Sequence, residues 1–350
     1  MDNLPLYLTI IIFILAGAVT WIAGVTLAKA TDTLDTRYKI GDALGGLILL
    51  GIAGSLPEIA VVYSAAISGR YSVILGNLIG GISIQTLIIV IFDFAVKKKK
   101  PLSYLSGSML MSLESLFAIG VTIIAIFGMI IPTKFSVFHA SPFSIGILIA
   151  WILGLLLINK ERKLQRFNET AVDAQPGRKH HEKRAVENHP FFANKTNLHV
   201  ILIFILASIV TLIAGVLLEK TGSAFANSLG IGTGIFAATA IAFVTSLPEI
   251  STGLESIFIG DNQLAISDIM GGNAYMVTIF LFADLVAGKS IFLFASKSDL
   301  ILGCLAIVMM GIYSVSFVSK LRHRYFRLGL DSYLEIIVYI VGIYLLTRLV

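Results

Sequence analysis

The chain alternates long apolar runs with short polar interruptions. Ten runs stand out, at about 5–28, 41–68, 72–95, 108–131, 142–159, 198–218, 231–258, 263–287, 299–318 and 332–349. About 20 such residues in a helix span the hydrocarbon of a bilayer. The pattern therefore predicts an all-α polytopic membrane protein with ten transmembrane helices. The chain opens MDNLPLYL, which lacks the basic start of a cleaved leader, so the first run is expected to be a retained span.

Between the fifth and sixth runs the pattern breaks. Residues 159–197, NKERKLQRFNETAVDAQPGRKHHEKRAVENHPFFANKTN, are charged and without apolar periodicity, and read as a cytoplasmic linker. Its His180, His181 and His189 have no carboxylate or cysteine spacing around them that would complete a metal site.

The stretches on either side of the linker repeat each other. SLPEI at 55–59 recurs at 246–250, a shift of 191 positions. The same ungapped shift lays IAGV (22–25) on IAGV (213–216), NLIGG (77–81) on DIMGG (268–272) and Asp93 on Asp284. One register held over that distance marks an internal duplication. The halves are taken as 1–158, with its core at 22–95, and 198–350, with its core at 213–287. Five spans per half is an odd number, so the second half enters the membrane from the opposite side. Two inverted five-helix repeats are the architecture of many secondary transporters.

Composition agrees with the pattern. Hydrophobic residues make up 57% of 350 positions and charged residues 13%, against roughly 25% charged in soluble domains. Mean hydropathy is +0.91. The net charge of +5 does not point to nucleic acid, because its placement is topological. Loops after the odd-numbered runs carry 20 Lys/Arg and the other side carries 6. By the positive-inside rule both termini are expected outside, in a bacterial or archaeal inner membrane. Cys304, the one cysteine, sits in the apolar run ILGCLAIVMM and allows no intrachain disulfide.

Candidate chemistry concentrates in the repeats. Glu58 and Glu249 lie mid-run, where a carboxylate costs at least ~2.5 kcal/mol on insertion scales and needs a partner. Pro57 and Pro248 precede them. Proline inside a helix removes a backbone hydrogen bond and displaces the carbonyl four residues earlier, here that of Ala53 or Val244. Such carbonyls, with Ser55, Thr245 and Ser246, would be oxygen ligands beside a carboxylate. Asn77 and Asp268 match under the same shift, each followed by a Gly-Gly pair that lets helices approach closely. All these donors are oxygens, which suits hard cations such as Ca²⁺ rather than soft metals. Asp93 and Asp284 fall near run ends, within expected reach of headgroup water. Glu114 and Glu255 have no acidic counterpart, and a helix-end or interhelical hydrogen bond is expected for each.

These paired SLPE segments, each followed by an Asn or Asp with small residues, resemble the α-repeats of the calcium/cation antiporter superfamily. The sodium/calcium exchanger-like branch, with repeats near G-T-S-L-P-E and G-N-x-x-G-S-N, is the most similar, and the chain looks like a divergent bacterial or archaeal member. The resemblance covers 51–83 and 242–274. It implies that Glu58 and Glu249 hold the transported cation and that Asn77 and Asp268 complete the cluster. Ser55, Ser246, Thr245 and the Gly54 backbone would add ligands. It implies transport of Ca²⁺ in exchange for Na⁺ or H⁺ without a cofactor, with the lipid bilayer and small inorganic cations as partners and no nucleic acid.

Three departures bear on coupling. Gly54 stands where the family has Thr. Val73 and Leu264 stand where sodium-coupled members carry a serine hydroxyl. The branch's closing G-S-N is Gly80-Gly81-Ile82 in one repeat and Gly271-Gly272-Asn273 in the other. The coupling ion is thus open between Na⁺ and H⁺, and an exchanger of Na⁺ for H⁺ without calcium selectivity is an alternative. A cation channel using the same acids is a further alternative. An enzyme is not expected: there is no HExxH helix, and Ser55 and Ser246 have no mid-membrane His or Lys.

Overall fold

A computed structural model describes residues 5–38, 52–131, 133, 135, 138–173, 191–192 and 194–349. Its first half contains α1 (Leu6–Tyr38), α2 (Leu56–Ile67), α3 (Tyr71–Ala95), α4 (Met109–Ile130) and α5 (Pro142–Asp173). The second half contains α6 (Asn197–Ser228), then α7 (Thr233–Thr245) and α8 (Leu247–Ile259), bent by 44° at a one-residue break. It continues with α9 (Asn262–Ala287), α10 (Lys297–Ser319) and α11 (Leu330–Leu349). Among the described residues eight helices are long and apolar enough to cross a membrane, and the bent α7–α8 pair makes a ninth. Of the expected span at 41–68, residues 41–51 lie outside the described residues, and α2 is its second half.

The expected linker is also only partly described. Its start, 159–173, continues α5 as helix. Lys, Glu, Arg and Gln are good helix formers, and no Pro or Gly interrupts the stretch before Pro176. His180, His181 and His189 lie outside the described residues.

Burial sorts the helices. The most apolar window of α3 is 89% buried within the protein, against 28–33% for α1, α5, α6 and α11. Those four present Ile14, Ile22, Leu157, Leu206 and Ile340 outward, as lipid-facing helices must. The two long helices α1 and α6 pack along each other. At 1.5 Å per residue each is about 50 Å long, more than the ~30 Å hydrocarbon. Arg37 near the end of α1 donates to Asn197 Oδ1 at the start of α6 (2.7 Å) and to the carbonyls of Phe192 and Lys195 (2.8 Å each). The helices are therefore antiparallel, as inversion of the repeats requires.

Inside, α3 crosses α7 backbone to backbone. A Cβ added at Gly76 would stand 2.1 Å from the Gly234 carbonyl oxygen, and one at Gly80 would stand 2.3 Å from Ala238 Cβ. Gly76 and Gly80 bound the one-turn π-helical segment Gly76–Gly80, and Ala238 lies in the matching π segment Ala237–Ile241, just after Gly234. Such π turns recur at functional sites.

Asp93 and Asp284 are not at a wet interface as expected; both are buried corner posts. Asp284 accepts from the Ile291 and Ser141 N–H groups (2.7 and 2.9 Å) and the Ser144 hydroxyl (2.7 Å). Asp93 accepts from the Leu102 and Gly329 N–H groups (2.7 Å each) and the Ser332 hydroxyl (2.8 Å). Each carboxylate thus satisfies backbone donors where the chain turns between spans, which would otherwise be orphaned.

Candidate cation site

The two SLPEI segments share one geometry. Residues 52–54 are helical, Ser55 is a turn with φ −92° and ψ 13°, and α2 begins at Leu56. In the second repeat α7 ends at Thr245, Ser246 has φ −86° and ψ 4°, and α8 begins at Leu247. Both serines occupy the sparsely populated bridge region. The prolines are therefore not helix-interior kinks, which corrects the sequence expectation. Each lies in the first turn of a new helix, where the missing N–H has no partner to lose. The break falls at the serine, two residues before the proline.

That shift places the acids. Glu58 and Glu249 lie in the first turns of α2 and α8, where the helix macrodipole favours negative charge. Glu58 is 1% exposed and lies beside Thr245 of the other repeat. Glu249 is half-buried and feels the charges of Glu58 and Asp268. Asp268, on α9, is half-buried beside Thr252. Three carboxylates from both repeats thus lie within electrostatic reach of one another across the pseudo-axis.

The remaining candidates surround them less directly. Asn77 is fully buried in the π turn of α3, which packs against α2. Thr245 and Ser246 donate their hydroxyl hydrogens to the Ala242 carbonyl (3.2 and 2.8 Å), so their oxygens keep lone pairs for other partners. Ser55 is buried, and its carbonyl accepts from the Ile59 N–H (3.0 Å). A Cβ on Gly54 would meet nothing within 4 Å.

Both Glu58 oxygens, one Glu249 oxygen and both Asn77 amide atoms are buried without a hydrogen-bond partner. Buried polar atoms are bonded in roughly nine cases of ten, so such a concentration is what a polar substrate site looks like. Among the described residues no three His, Cys, Asp or Glu side chains converge as a metal centre.

The structure also adds residues. Thr252 beside Asp268, and Asn273, which donates to Thr86 Oγ1 (3.0 Å) between α9 and α3, extend the polar layer. The repeated IAGV motif acquires a role. A Cβ on Gly24 would stand 2.4 Å from Pro248 Cγ, and one on Gly215 would stand 2.6 Å from Ala60 Cβ and 2.9 Å from the Pro57 carbonyl oxygen. Each long helix therefore rests, through a glycine, on the break of the opposite repeat. The motif was visible as a repeat; its contact was not.

Ion pairs flank the cluster on both sides. Away from the linker, Glu219 is 0% exposed and accepts from Arg70 Nε (2.5 Å) and Nη2 (2.7 Å), Ser64 (2.7 Å) and Ser223 (3.1 Å). Sequence symmetry could not flag Glu219, because its counterpart is Ala28. On the linker side Lys29 Nζ lies 3.6 Å from Glu255 and over the Phe191 ring. Glu114 accepts from the Ser267 hydroxyl (2.5 Å). Glu114 and Glu255 are thus engaged between helices, as expected.

A membrane-embedded inverted pair of broken helices with facing carboxylates defines an ion-carrier architecture. The sodium/calcium exchanger protein family matches residues 8–159 and 199–348, and the chain belongs to that family. No curated protein sequence matches it. Among solved structures it is similar to the H⁺/Ca²⁺ exchanger CAX, with a TM-score of 0.65 at 12% identity over 97% of this chain and 88% of that one. It is also similar to native YfkE, with 0.67 at 13% identity over 95% and 91%. The sodium-calcium exchanger NCX_Mj gives 0.58 at 17% identity over 97% and 99%. At these identities the likeness carries the fold.

Proposed function

We propose that this protein is a secondary antiporter that exchanges Ca²⁺, or a similar hard cation, for Na⁺ or H⁺ by alternating access. The observation that carries the reading is that Glu58, Glu249 and Asp268 from both repeats act on one another's charge, with unbonded buried oxygens between two helix breaks. Glu58, Glu249, Asn77 and Asp268 bind the ion, and Ser55, Thr245, Ser246 and the Gly54 backbone supply neutral oxygens. The transported ion and its counter-ion compete for the same carboxylates, so occupation by one requires release of the other. Exchange follows without a signal between distant sites.

The long helices α1 and α6 move across the breaks, and the two repeats, 1–158 and 198–350 joined by 159–197, exchange roles. The basic loops face the cytoplasm and both termini lie outside, in a bacterial or archaeal cell membrane. No cofactor, nucleic acid or catalytic step is involved.

One observation favours H⁺ over Na⁺ as the counter-ion. Val73 is fully buried and Leu264 is 50% exposed, and neither side chain can ligate sodium where the related exchangers carry hydroxyls.

Reconstitution in vesicles tests the reading. ⁴⁵Ca²⁺ uptake is measured under an imposed pH gradient and, separately, under a Na⁺ gradient. Saturable uptake under the pH gradient is expected, and uptake under the Na⁺ gradient alone would overturn the proton assignment. Flux that needs neither gradient and shows no counterflow identifies a channel instead.

A further inference from the structure

The corner built on Asp93 contains more acid than the fold requires. Near it, Asp331 and Glu335 project from successive turns of α11, with Tyr313 of α10 and Ser103 of the short helix Leu102–Ser106 alongside. All four are buried, and Glu335 is 0% exposed. Both Glu335 carboxylate oxygens, Asp331 Oδ1 and the Tyr313 hydroxyl have no hydrogen-bond partner. Asp93 is already saturated by its three donors, with Arg324 Nη2 3.9 Å from its Oδ1. Asp331 and Glu335 therefore remain as two buried carboxylates one turn apart on α11, each within the other's field, with no cation assigned to them.

The other repeat is an internal control. There Asp284 holds the N–H of Ser141 and the hydroxyl of Ser144, as Asp93 holds the N–H of Gly329 and the hydroxyl of Ser332. That correspondence sets Phe143 against Asp331 and Ile147 against Glu335. The N-caps Ser108 of α4 and Ser296 of α10 keep the same offset and set Ala125 against Tyr313. The Asp284 corner is thus packed with apolar side chains and still forms. Folding does not demand the acids.

We propose that Asp331, Glu335, Tyr313 and Ser103 form a second, non-transport site for a divalent hard cation, at the basic-loop end of α11. Carboxylates four residues apart on a helix lie roughly 5–6 Å apart at Cβ, a span that brackets an ion bound at 2.3–2.6 Å. Two carboxylate charges match a divalent ion. A side chain at position 329 is excluded: a Cβ there would stand 2.2 Å from Asp331 Oδ1, so Gly329 is what lets this carboxylate turn inward.

The test uses the full chain in detergent, with Glu58→Gln and Glu249→Gln together removing the central site. Equilibrium dialysis with ⁴⁵Ca²⁺ is expected to retain one bound ion per chain, lost on adding Glu335→Gln. Tb³⁺ in the same background is expected to show tyrosine-sensitised luminescence that Tyr313→Phe abolishes, a readout independent of any folding defect in the carboxylate variant. No residual Ca²⁺ in the double variant, or residual Ca²⁺ indifferent to Glu335→Gln, overturns the proposal and leaves protons as what neutralises the pair. The outcome is separable from the antiport reading, because it is read where the central acids are gone.

Discussion

The two flanks of the central acids are alike in backbone and unlike in charge. Away from the linker a wholly buried glutamate, Glu219, is clasped by a guanidinium and two serines. On the linker side Lys29 and a 57% exposed Glu255 meet at 3.6 Å. The repeat places a contact between a long helix and a broken helix at both ends, but only at one end is the acid of the ion pair fully buried, with its Arg70 partner 31% exposed. A buried pair broken at one partner typically costs 3–5 kcal/mol, whereas an exposed one contributes roughly 0–1 kcal/mol. Under the proposed alternating access, two states of a symmetric frame can therefore differ in energy through a handful of side chains.

The largest effect is expected at the centre both flanks guard. Glu249→Gln should abolish gradient-driven Ca²⁺ uptake in vesicles, and Glu58→Gln should do the same. Intact rates in either variant would remove the acids from the site.

Next in size is the Arg70 clasp. Arg70→Gln strands the Glu219 charge and should cost about 3–5 kcal/mol, read as a large drop in thermal stability in detergent. Adding Glu219→Gln should restore most of it. A stable Arg70→Gln single variant would show that the two flanks are equivalent after all.

Smaller effects are expected where α1 meets the second break. Gly24→Ala forces a methyl onto the Pro248 ring and should cost about 1–3 kcal/mol by overpacking, with slower exchange. Gly215→Ala should behave alike, since it meets Ala60 and the Pro57 carbonyl. A difference between the two glycine variants would place the flank asymmetry in packing as well as charge. Smallest is Lys29→Ala, expected to change stability by less than about 1 kcal/mol and to lose even that in high salt.

How much of this was legible in the sequence follows from its repetition. Glu58, Glu249, Asn77 and Asp268 stood out as candidates because they recur at one offset within apolar runs, where a polar or charged group is costly. The break was located two residues late. A proline inside a run reads as an interior kink, and only three-dimensional context shows that it opens a new helix. Glu219 and Arg70 were passed over because repeat logic rewards matched positions, and Ala28 matches Glu219. Asp93 and Asp284 did match, but proximity to a run end says nothing about burial. Their role depends on N–H groups from loops up to 236 residues distant.

The glycine contacts have a consequence for how such a chain can change over generations. Gly24 lies against Pro248, and Gly215 against Pro57 and Ala60, so each half supplies the surface on which the other half's long helix rests. A mutation in one copy is tested by a residue of the other copy, never by its own. The two descendants of the duplication are thereby bound to a shared fate at these positions. The copies have diverged where the corners differ, Asp331 and Glu335 on α11 standing where the other copy has Phe143 and Ile147.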